Sequence, residues 1–313
     1  MTYKIIAFFL NKNVIHAMIK KNLNFLIKII AMNHIPTKIQ KEDFNLYIRP
    51  FLTTAKRGYV SLIPLHLIFN GILYKLYSGC QWKSLPTKEF MDEEKDIELS
   101  YQAFYYHFRK WSKDESLYYV FRASMIAILM HINLSEINLD GTHTIAKKGG
   151  EAVDYQRRKR AKTSNILPIT DRIGNVVGFL PLTAGNHNDA YKLKQRMTDF
   201  FKWFNTLNIG SLRGAYFNAD AAFDVKAVRK VIFNYGLIPN IPENNRNRKG
   251  VKKGRKRLFN QKVYDNRYTN ERTHAWADKF RGILIRFDRK ADYWLGANLI
   301  VFAMINFRHV FEK

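Results

Sequence analysis

The chain has 313 residues, enough for two domains or for one core with a helical appendage, and its 47% hydrophobic content excludes a disordered protein. It carries 52 Lys and Arg against 26 Asp and Glu, a formal net charge of +26. This excess indicates a polyanionic partner, either nucleic acid or an anionic membrane surface. The single cysteine, Cys80, excludes an intrachain disulfide framework and a cysteine-based zinc site, and it favours a reducing cytoplasm.

The N-terminal residues 1–35 alternate apolar runs with lysines. The longest uninterrupted apolar run, Ile5 to Leu10, is too short to cross a bilayer. A signal peptide is not evident either, because no apolar segment is followed by a small-residue cleavage site. We interpret residues 1–35 as an N-terminal extension and expect the first 31 to be dispensable. The alternative is a helix that lies on a lipid surface.

Residues 36–134 have the pattern of a helical domain. Apolar residues recur at three-and-four spacing from Tyr59 to Tyr77, and Ser100 is a predicted N-cap for a helix from Tyr101 to Trp111. Aromatic residues fall on one side of that second helix, with basic residues between them. This predicts a DNA-binding module of helix–turn–helix type. The alternative is a packing domain with an aromatic core.

The segment 135–144 has the alternation of a strand with one buried face. Ile137 and Leu139 are apolar and alternate with Asn138 and Asp140, so Asp140 is expected at the C-terminal end of the strand. A lone aspartate in this position is usually a turn residue. Two further acidic residues favour a functional role.

Three acidic residues, two aspartates at strand ends and one glutamate on a helix, are candidates for one metal site. Another short apolar run delivers Asp220 just before a helical pattern. At about 100° per residue, Tyr264, Arg267 and Glu271 share one face of a later helix. Asp140, Asp220 and Glu271 are therefore predicted to supply the oxygen ligands of two magnesium ions, an arrangement suited to in-line attack on phosphodiesters.

A predicted hairpin lies between the two aspartates. Strands from Ser164 to Asp171 and from Val176 to Thr183 flank a glycine-containing turn, and with the Asp140 strand they form three antiparallel strands. In the loop that follows, His187 and Asp189 are candidates to support the metal site or contact DNA. The alternative is a turn and an N-cap for the next helix.

Two basic runs are predicted to contact DNA. Gln156 to Lys162 has five positive charges in seven residues, and Arg246 to Arg257 has eight in twelve. Charge runs are usually solvated surface, but beside a phosphodiester-cutting site they are expected to follow the DNA backbone. The basic residues assigned to DNA are Lys147, Lys148, Arg157, Arg158, Arg160, Lys252, Lys253, Arg255 and Lys256.

The acidic set and the spacing Tyr264-x2-Arg267-x3-Glu271 resemble bacterial insertion-sequence transposases of the DDE type, in the insertion sequence five family. The resemblance covers about residues 43–310. The family signature continues with six residues and a lysine, whereas in this chain that position is Asp278, and Lys279 follows it.

The resemblance implies an α/β protein with a ribonuclease-H-like catalytic core, a mixed sheet flanked by helices, behind an all-helical N-terminal domain. Residues 36–134 would be the DNA-binding domain and residues 135–313 the catalytic domain. Asp140, Asp220 and Glu271 would be catalytic and would bind two magnesium ions, with manganese as a substitute. Tyr264, Arg267 and Lys279 would contact DNA.

The same resemblance implies binding of the terminal inverted repeats, metal-dependent end cleavage and strand transfer. The partner would be double-stranded DNA, both element ends and target, bound by a homodimer. A cytoplasmic, nucleoid-associated protein without a membrane partner is expected. The alternatives are a metal-dependent nuclease on the same fold, a transposase-derived DNA-binding protein without catalysis, and a polyanion-binding protein at a membrane surface.

Overall fold

The computed structural model describes residues 34–54, 64–91, 99–244 and 257–311. These residues form two compact units. The helical unit comprises residues 34–131 and 276–311, and the sheet unit comprises residues 132–275. The first 33 residues, the start of the helix predicted from Tyr59, and the basic residues Lys252, Lys253, Arg255 and Lys256 lie outside the described residues.

Helices predominate at the two ends of the described chain, and strands predominate in its middle. The helices are α1 (Lys41–Tyr47), α2 (Leu65–Ser78), α3 (Tyr101–Lys113), α4 (Ser116–Ala127), α5 (Leu193–Asn205), α6 (Lys226–Asn234), α7 (Gln261–Asp265), α8 (Tyr268–Asp278) and α9 (Ala291–Phe307). The strands are β1 (Glu136–Leu139), β2 (Thr142–Ala146), β3 (Asp154–Gln156), β4 (Ala161–Asp171), β5 (Val176–Ala184), β6 (Tyr216–Asn218), β7 (Ile238–Asn240) and β8 (Ile285–Arg286). None of the described helices is both long and apolar enough to cross a bilayer.

Helix α3 begins where the sequence predicts and turns its aromatic face inward. The side chain of Ser100 accepts a hydrogen bond from the backbone N–H of Gln102 at 3.3 Å, which confirms the predicted N-cap. Phe104, Phe108 and Trp111 are buried, so the aromatic stripe forms the core of the helical unit. The role of this unit in DNA binding stays a prediction.

Helix α9 belongs to the helical unit, although the sequence-based boundaries place it in the catalytic domain at residues 135–313. Its residues from Leu299 to Phe307 are all buried, and it packs against α3 and α4. A helix that is apolar on every side must be enclosed on every side. The apolar faces of α3 and α4 provide much of that enclosure, and Tyr47 of α1 packs on Phe307 of α9.

The sheet unit contains a mixed sheet with the order β7–β6–β1–β4–β5. Strand β4 is antiparallel to both β1 and β5, whereas β6 and β7 run parallel to β1. The short strand β3 pairs with the start of β4. The predicted hairpin is thus confirmed as β4 and β5, with Gly174 at φ +87° in its turn. Of the predicted fold class, the mixed sheet flanked by helices and the helical N-terminal region are confirmed.

Helices cover both faces of this sheet. On one face, Phe201 of α5 packs against Phe217 of β6, with ring centroids 6.2 Å apart. Gly178 is required beneath α5, because a Cβ there would lie 2.4 Å from the ring of Phe200. Helices α7 and α8 lie over the opposite face, where Asn218 points away from Phe217's side.

Strands β1 and β2 are two parts of one strand. Leu139 pairs with Ile169 and Thr142 with Ile166, which is one continuous register against β4. The interruption at Asp140 and Gly141 faces Pro168, which has no backbone N–H to donate. The sequence pattern predicts Asp140 at the C-terminal end of its strand, but the strand resumes after it. Asp140 therefore sits at a break within a long strand.

Candidate active site

Asp140 and Asp220 follow neighbouring parallel strands at equivalent positions. Asn138 of β1 pairs with Asn218 of β6, and each strand carries its aspartate two residues later. Residues two apart on a strand project from the same face. The two carboxylates are therefore directed to the same side of the sheet, on adjacent strands.

Three buried asparagines below the carboxylates form a hydrogen-bonded row. Asn138 Oδ1 accepts a hydrogen bond from Asn218 Nδ2 at 2.8 Å, and Asn218 Oδ1 accepts one from Asn240 Nδ2 at 2.8 Å. We call these three residues the asparagine ladder; each is at most 1% exposed. Asn240 also exchanges hydrogen bonds with the backbone of Asn260, which caps α7. The ladder fixes β1, β6 and β7 side by side and so fixes where Asp140 and Asp220 stand.

The electrostatics of Asp220 indicate that several carboxylates share this region. Burial raises the pKa of Asp220, and repulsion from Asp140 and Asp189 raises it further. The backbone N–H of Ala222, which donates to Asp220 Oδ1 at 2.8 Å, and the charge of Arg267 act in the opposite direction. A cation at this position would relieve the repulsion between the aspartates.

Two side chains from the α7–α8 segment approach Asp140. Arg267 Nη2 lies 3.5 Å and His274 Nε2 lies 4.0 Å from Asp140 Oδ2. Arg267 also donates to Tyr264 Oη at 3.4 Å, and its guanidinium carbon lies 5.7 Å from the Tyr264 ring centroid. Tyr264 and Arg267 are thus adjacent, although the predicted single helix is divided into α7 and α8.

Polar contacts fix α7 and α8 on the sheet. Asn266, between the two helices, donates to the Glu136 carboxylate at 3.1 Å. On α8, Arg272 donates to the carbonyl of Ile173 at 2.8 Å, and Thr273 donates to the carbonyl of Gly174 at 3.0 Å. Thr170 of β4 is hydrogen-bonded to Asn270 of α8. Because Asn270 and Thr273 are buried, the position of Glu271 between them is turned toward solvent.

Glu271 is exposed, and it forms no hydrogen bond or ion pair with another described residue. It follows Arg267 by four residues and precedes His274 by three, so it shares the helical face that approaches Asp140. Its role as a ligand stays a prediction. Lys279 and Asp278 are exposed, and both belong to the helical unit.

Sequence reasoning missed His274 and the asparagine ladder. The ladder had a signal, because Asn138-x-Asp140 and Asn218-x-Asp220 repeat the same pattern at the ends of two strands. His274 also had one, since it lies seven residues after Arg267 and therefore two helical turns along the same face.

The basic residues assigned to DNA in the first half of the sheet unit are on exposed turns. Lys147 and Lys148 follow β2, and Arg157, Arg158 and Arg160 form the turn between β3 and β4. We call residues 154–163 the basic hairpin. Lys159 of this hairpin is tied back, because its Nζ donates to the carbonyl of His143 at 2.5 Å. The other cations of the turn face solvent.

Two of the three predicted ligands have a geometry that bears on binding of a divalent cation. Asp140 and Asp220 offer hard oxygen ligands, and magnesium is commonly held by one or two carboxylates together with substrate phosphates and waters. Within the ranges that the structure describes, no three His, Cys, Asp or Glu side chains converge closely enough to bind one metal ion. Asp140 and Asp220 thus have the chemistry of magnesium ligands, and among the described residues Glu271 does not join them in a three-residue group.

No family model matches the chain, and no curated protein matches it. Two solved structures are similar to it. One is the piggyBac transposase synaptic complex with hairpin DNA, at 12% identity and a TM-score of 0.47, over 96% of this chain and 72% of that chain. The other is the Mos1 transposase paired-end complex with the left transposon end, at 12% identity and a TM-score of 0.25, over 58% of this chain and 60% of that chain.

Proposed function

We propose that this protein is a DDE-type transposase of the insertion sequence five type, which cleaves DNA at the ends of its element and joins them to target DNA. The observation that carries the proposal is the pair Asp140 and Asp220, set in register on adjacent parallel strands above the asparagine ladder. The net charge of +26 supports a nucleic acid as the partner.

In this proposal Asp140 and Asp220 bind magnesium, with manganese as a substitute, and Glu271 completes the site when DNA is bound. The metal would lower the pKa of a water or hydroxyl and neutralise charge on the phosphate. Arg267 and Tyr264 would bind a phosphate oxygen beside the scissile bond, because a guanidinium can form two parallel hydrogen bonds to phosphate. The same site would then serve strand transfer, in which the freed 3′-hydroxyl attacks target DNA.

Double-stranded DNA is the proposed partner of the basic hairpin and of the second basic run. The hairpin presents Arg157, Arg158 and Arg160 to solvent on a turn. Phosphate contacts of this kind position a protein on DNA without reading its sequence. A homodimer on two element ends and Lys279 as a DNA contact are part of the same proposal.

A second candidate function is a transposase-derived DNA-binding protein without catalysis. Two observations favour it: Asp140 already has a cationic neighbour in Arg267, and Glu271 is exposed. Asp278 in place of the signature lysine is a further departure from the family pattern. One cleavage experiment separates the two candidates.

The experiment uses purified protein and the DNA that flanks the gene, with its terminal inverted repeats, in magnesium. We expect nicking at the element ends by the wild type, and its loss in Asp140→Asn, Asp220→Asn and Glu271→Gln, with DNA binding retained. Asp265→Asn is the control, because Asp265 is exposed on α7, where its carboxylate accepts a hydrogen bond from Gln261. Binding without cleavage by the wild type would favour the second candidate.

Asp278→Asn tests the choice of the third acidic residue. If Asp278→Asn abolishes cleavage and Glu271→Gln does not, the assignment of Glu271 is wrong. If all of these variants cleave as the wild type does, the metal site is wrong as a whole.

A further inference from the structure

The break at Asp140 and Gly141 is held from the side by Asp189. A Cβ at Gly141 would lie 3.0 Å from Asp189 Oδ1 and 3.4 Å from Asn165 Oδ1. The backbone next to Asp140 is therefore in close contact with a carboxylate from a different part of the chain. Only glycine allows this approach without a shift of the neighbouring atoms.

Asp189 is itself fixed by a pair of residues that face each other across β2 and β4. His143 and Asn165 are partners in the register of these strands. Asn165 Nδ2 donates to Asp189 Oδ1 at 2.5 Å, and His143 Nε2 lies 3.5 Å from the same oxygen. His143 is held in turn by Thr163, with Nδ1 and Oγ1 3.2 Å apart. His143 and Asn165 are buried, so these contacts are shielded from water.

The loop after β5 is shaped to bring Asp189 to this place. Gly185 packs so closely on β4 that a Cβ would lie 2.2 Å from Thr163 Oγ1 and 2.6 Å from the carbonyl of Asp154. The backbone N–H of His187 then donates to the carbonyl of Ala184 at 3.1 Å, which turns the chain back over the sheet. The close packing of Gly185 and this turn therefore carry the chain from the end of β5 to the break at Asp140.

We propose that Asp189 is a positioning residue: by its contacts with Asn165, His143 and the Gly141 backbone, it holds the Asp140 carboxylate in the orientation that a divalent cation requires. This inference rests on the proposed function, since it concerns the same metal site. It assigns to Asp189 the support of a ligand and not the binding of the metal itself. Removal of a residue that supports a metal ligand lets the ligand shift. Small shifts of this kind have large effects on metal affinity and on activity.

The experiment compares Asp189→Ala with Asp189→Asn in two assays. The first is cleavage of the element-end DNA in magnesium. The second measures the rise of the melting temperature with added manganese, in the absence of DNA. The manganese concentration that gives half of this rise, the manganese midpoint, reports metal affinity without catalysis. Asparagine keeps an oxygen that can accept from Asn165 and face His143, so we expect Asp189→Asn to retain most of both signals. We expect Asp189→Ala to lower the cleavage rate and to raise the manganese midpoint, each on the order of tenfold. This is the size of loss typical for residues that support a metal ligand.

Gly141→Ala is the second variant, because its Cβ would displace Asp189. We expect Gly141→Ala alone to reduce cleavage and to raise the manganese midpoint. Combined with Asp189→Ala it should have little further effect, because the Asp189 carboxylate that the new Cβ would displace is then absent. Additive losses in the double variant would overturn the proposal. So would equal losses in Asp189→Asn and Asp189→Ala, or wild-type behaviour of a folded Asp189→Ala.

Failure of the proposed function gives a different result. In that case the wild type neither cleaves the DNA nor gains stability from manganese, or Asp140→Asn behaves as the wild type in both assays. A wild type that cleaves, next to an Asp189→Ala variant that cleaves equally well, removes only the role of Asp189.

Discussion

The interiors of the two units are built from different chemistry. In the helical unit, the interior between α2, α3 and α9 is aromatic and aliphatic, as shown by buried Phe104, Phe108 and Trp111. In the sheet unit, the face beneath α7 and α8 is polar and holds the asparagine ladder. Buried amides cost free energy unless each is hydrogen-bonded, and in the ladder they pair with one another. The polar interior lies directly below Asp140 and Asp220, so it orders the site as well as the fold.

The largest loss of stability is expected from the aromatic interior. Phe104 is fully buried, and Gly71 packs against it so closely that a Cβ there would lie 2.2 Å from its ring. Phe104→Ala should lower the free energy of unfolding by about 3–5 kcal/mol, measured by urea denaturation. The manganese midpoint of the folded variant should equal that of the wild type. A change in that midpoint would show that the helical interior also orders the metal site.

Disrupting the asparagine ladder is expected to cost less stability than Phe104→Ala and to have a larger effect on metal binding. Asn218→Ala leaves the buried Asn138 Oδ1 without its donor, at a cost of about 1–3 kcal/mol, and removes one of the two hydrogen bonds that Asn240 Nδ2 donates. Because Asp220 follows Asn218 by two residues, the variant should also raise the manganese midpoint. Asn234→Ala, at an exposed position that ends α6, is the matched control. An unchanged midpoint in Asn218→Ala would separate the ladder from the site.

The same contrast explains what could be predicted from sequence. Hydrophobic alternation and turn residues are enough to predict β1, the β4–β5 hairpin and the Ser100 cap, because these are local signals. They do not predict the return of the strand after Asp140, since it depends on pairing with a distant part of β4, as between Thr142 and Ile166. Glu271 shows the limit for the site: a spacing rule gives its face on a helix, whereas the distance of that helix from the strands depends on tertiary contacts.

The helical interior also predicts a dependence of stability on pH. Burial lowers the pKa of His107 to about 4, and the charge of Lys110 contributes to the same shift. The unfolded chain, with an ordinary histidine pKa of about 6.5, binds the proton first as the pH falls. The stability contributed by neutral His107 is therefore present above about pH 6.5 and is lost as the pH falls toward about 4.

The corresponding measurement is the free energy of unfolding of the wild type and of His107→Phe at about pH 7.5, 6 and 5, which spans the ordinary histidine pKa. The wild type should lose more stability than the variant across this range, because phenylalanine does not titrate. Parallel curves would mean that His107 does not contribute to the acid sensitivity.

The smallest effect is expected at the exposed surface of the sheet unit. Replacing Arg157, Arg158 and Arg160 with Gln should leave folding unchanged and flatten the salt dependence of duplex-DNA affinity by about 0.9 in log–log slope for each phosphate that the protein no longer binds. Lys226→Gln with Lys230→Gln on α6 is the charge-matched control for two of these changes, since both lysines are exposed. An unchanged slope in the triple variant would remove the basic hairpin from the interface.

The central claim is that Asp140 and Asp220 bind the metal ion that cleaves DNA, and exchange of ligand type tests it most directly. Asp140→Cys and Asp220→Cys replace a hard oxygen ligand with a softer thiolate, which binds manganese in preference to magnesium. We expect each variant to lose cleavage of the element-end DNA in magnesium and to regain part of it in manganese, whereas Asp140→Ser regains none. Equal cleavage by the cysteine variants and the wild type in magnesium, or no recovery of either variant in manganese, would contradict the account.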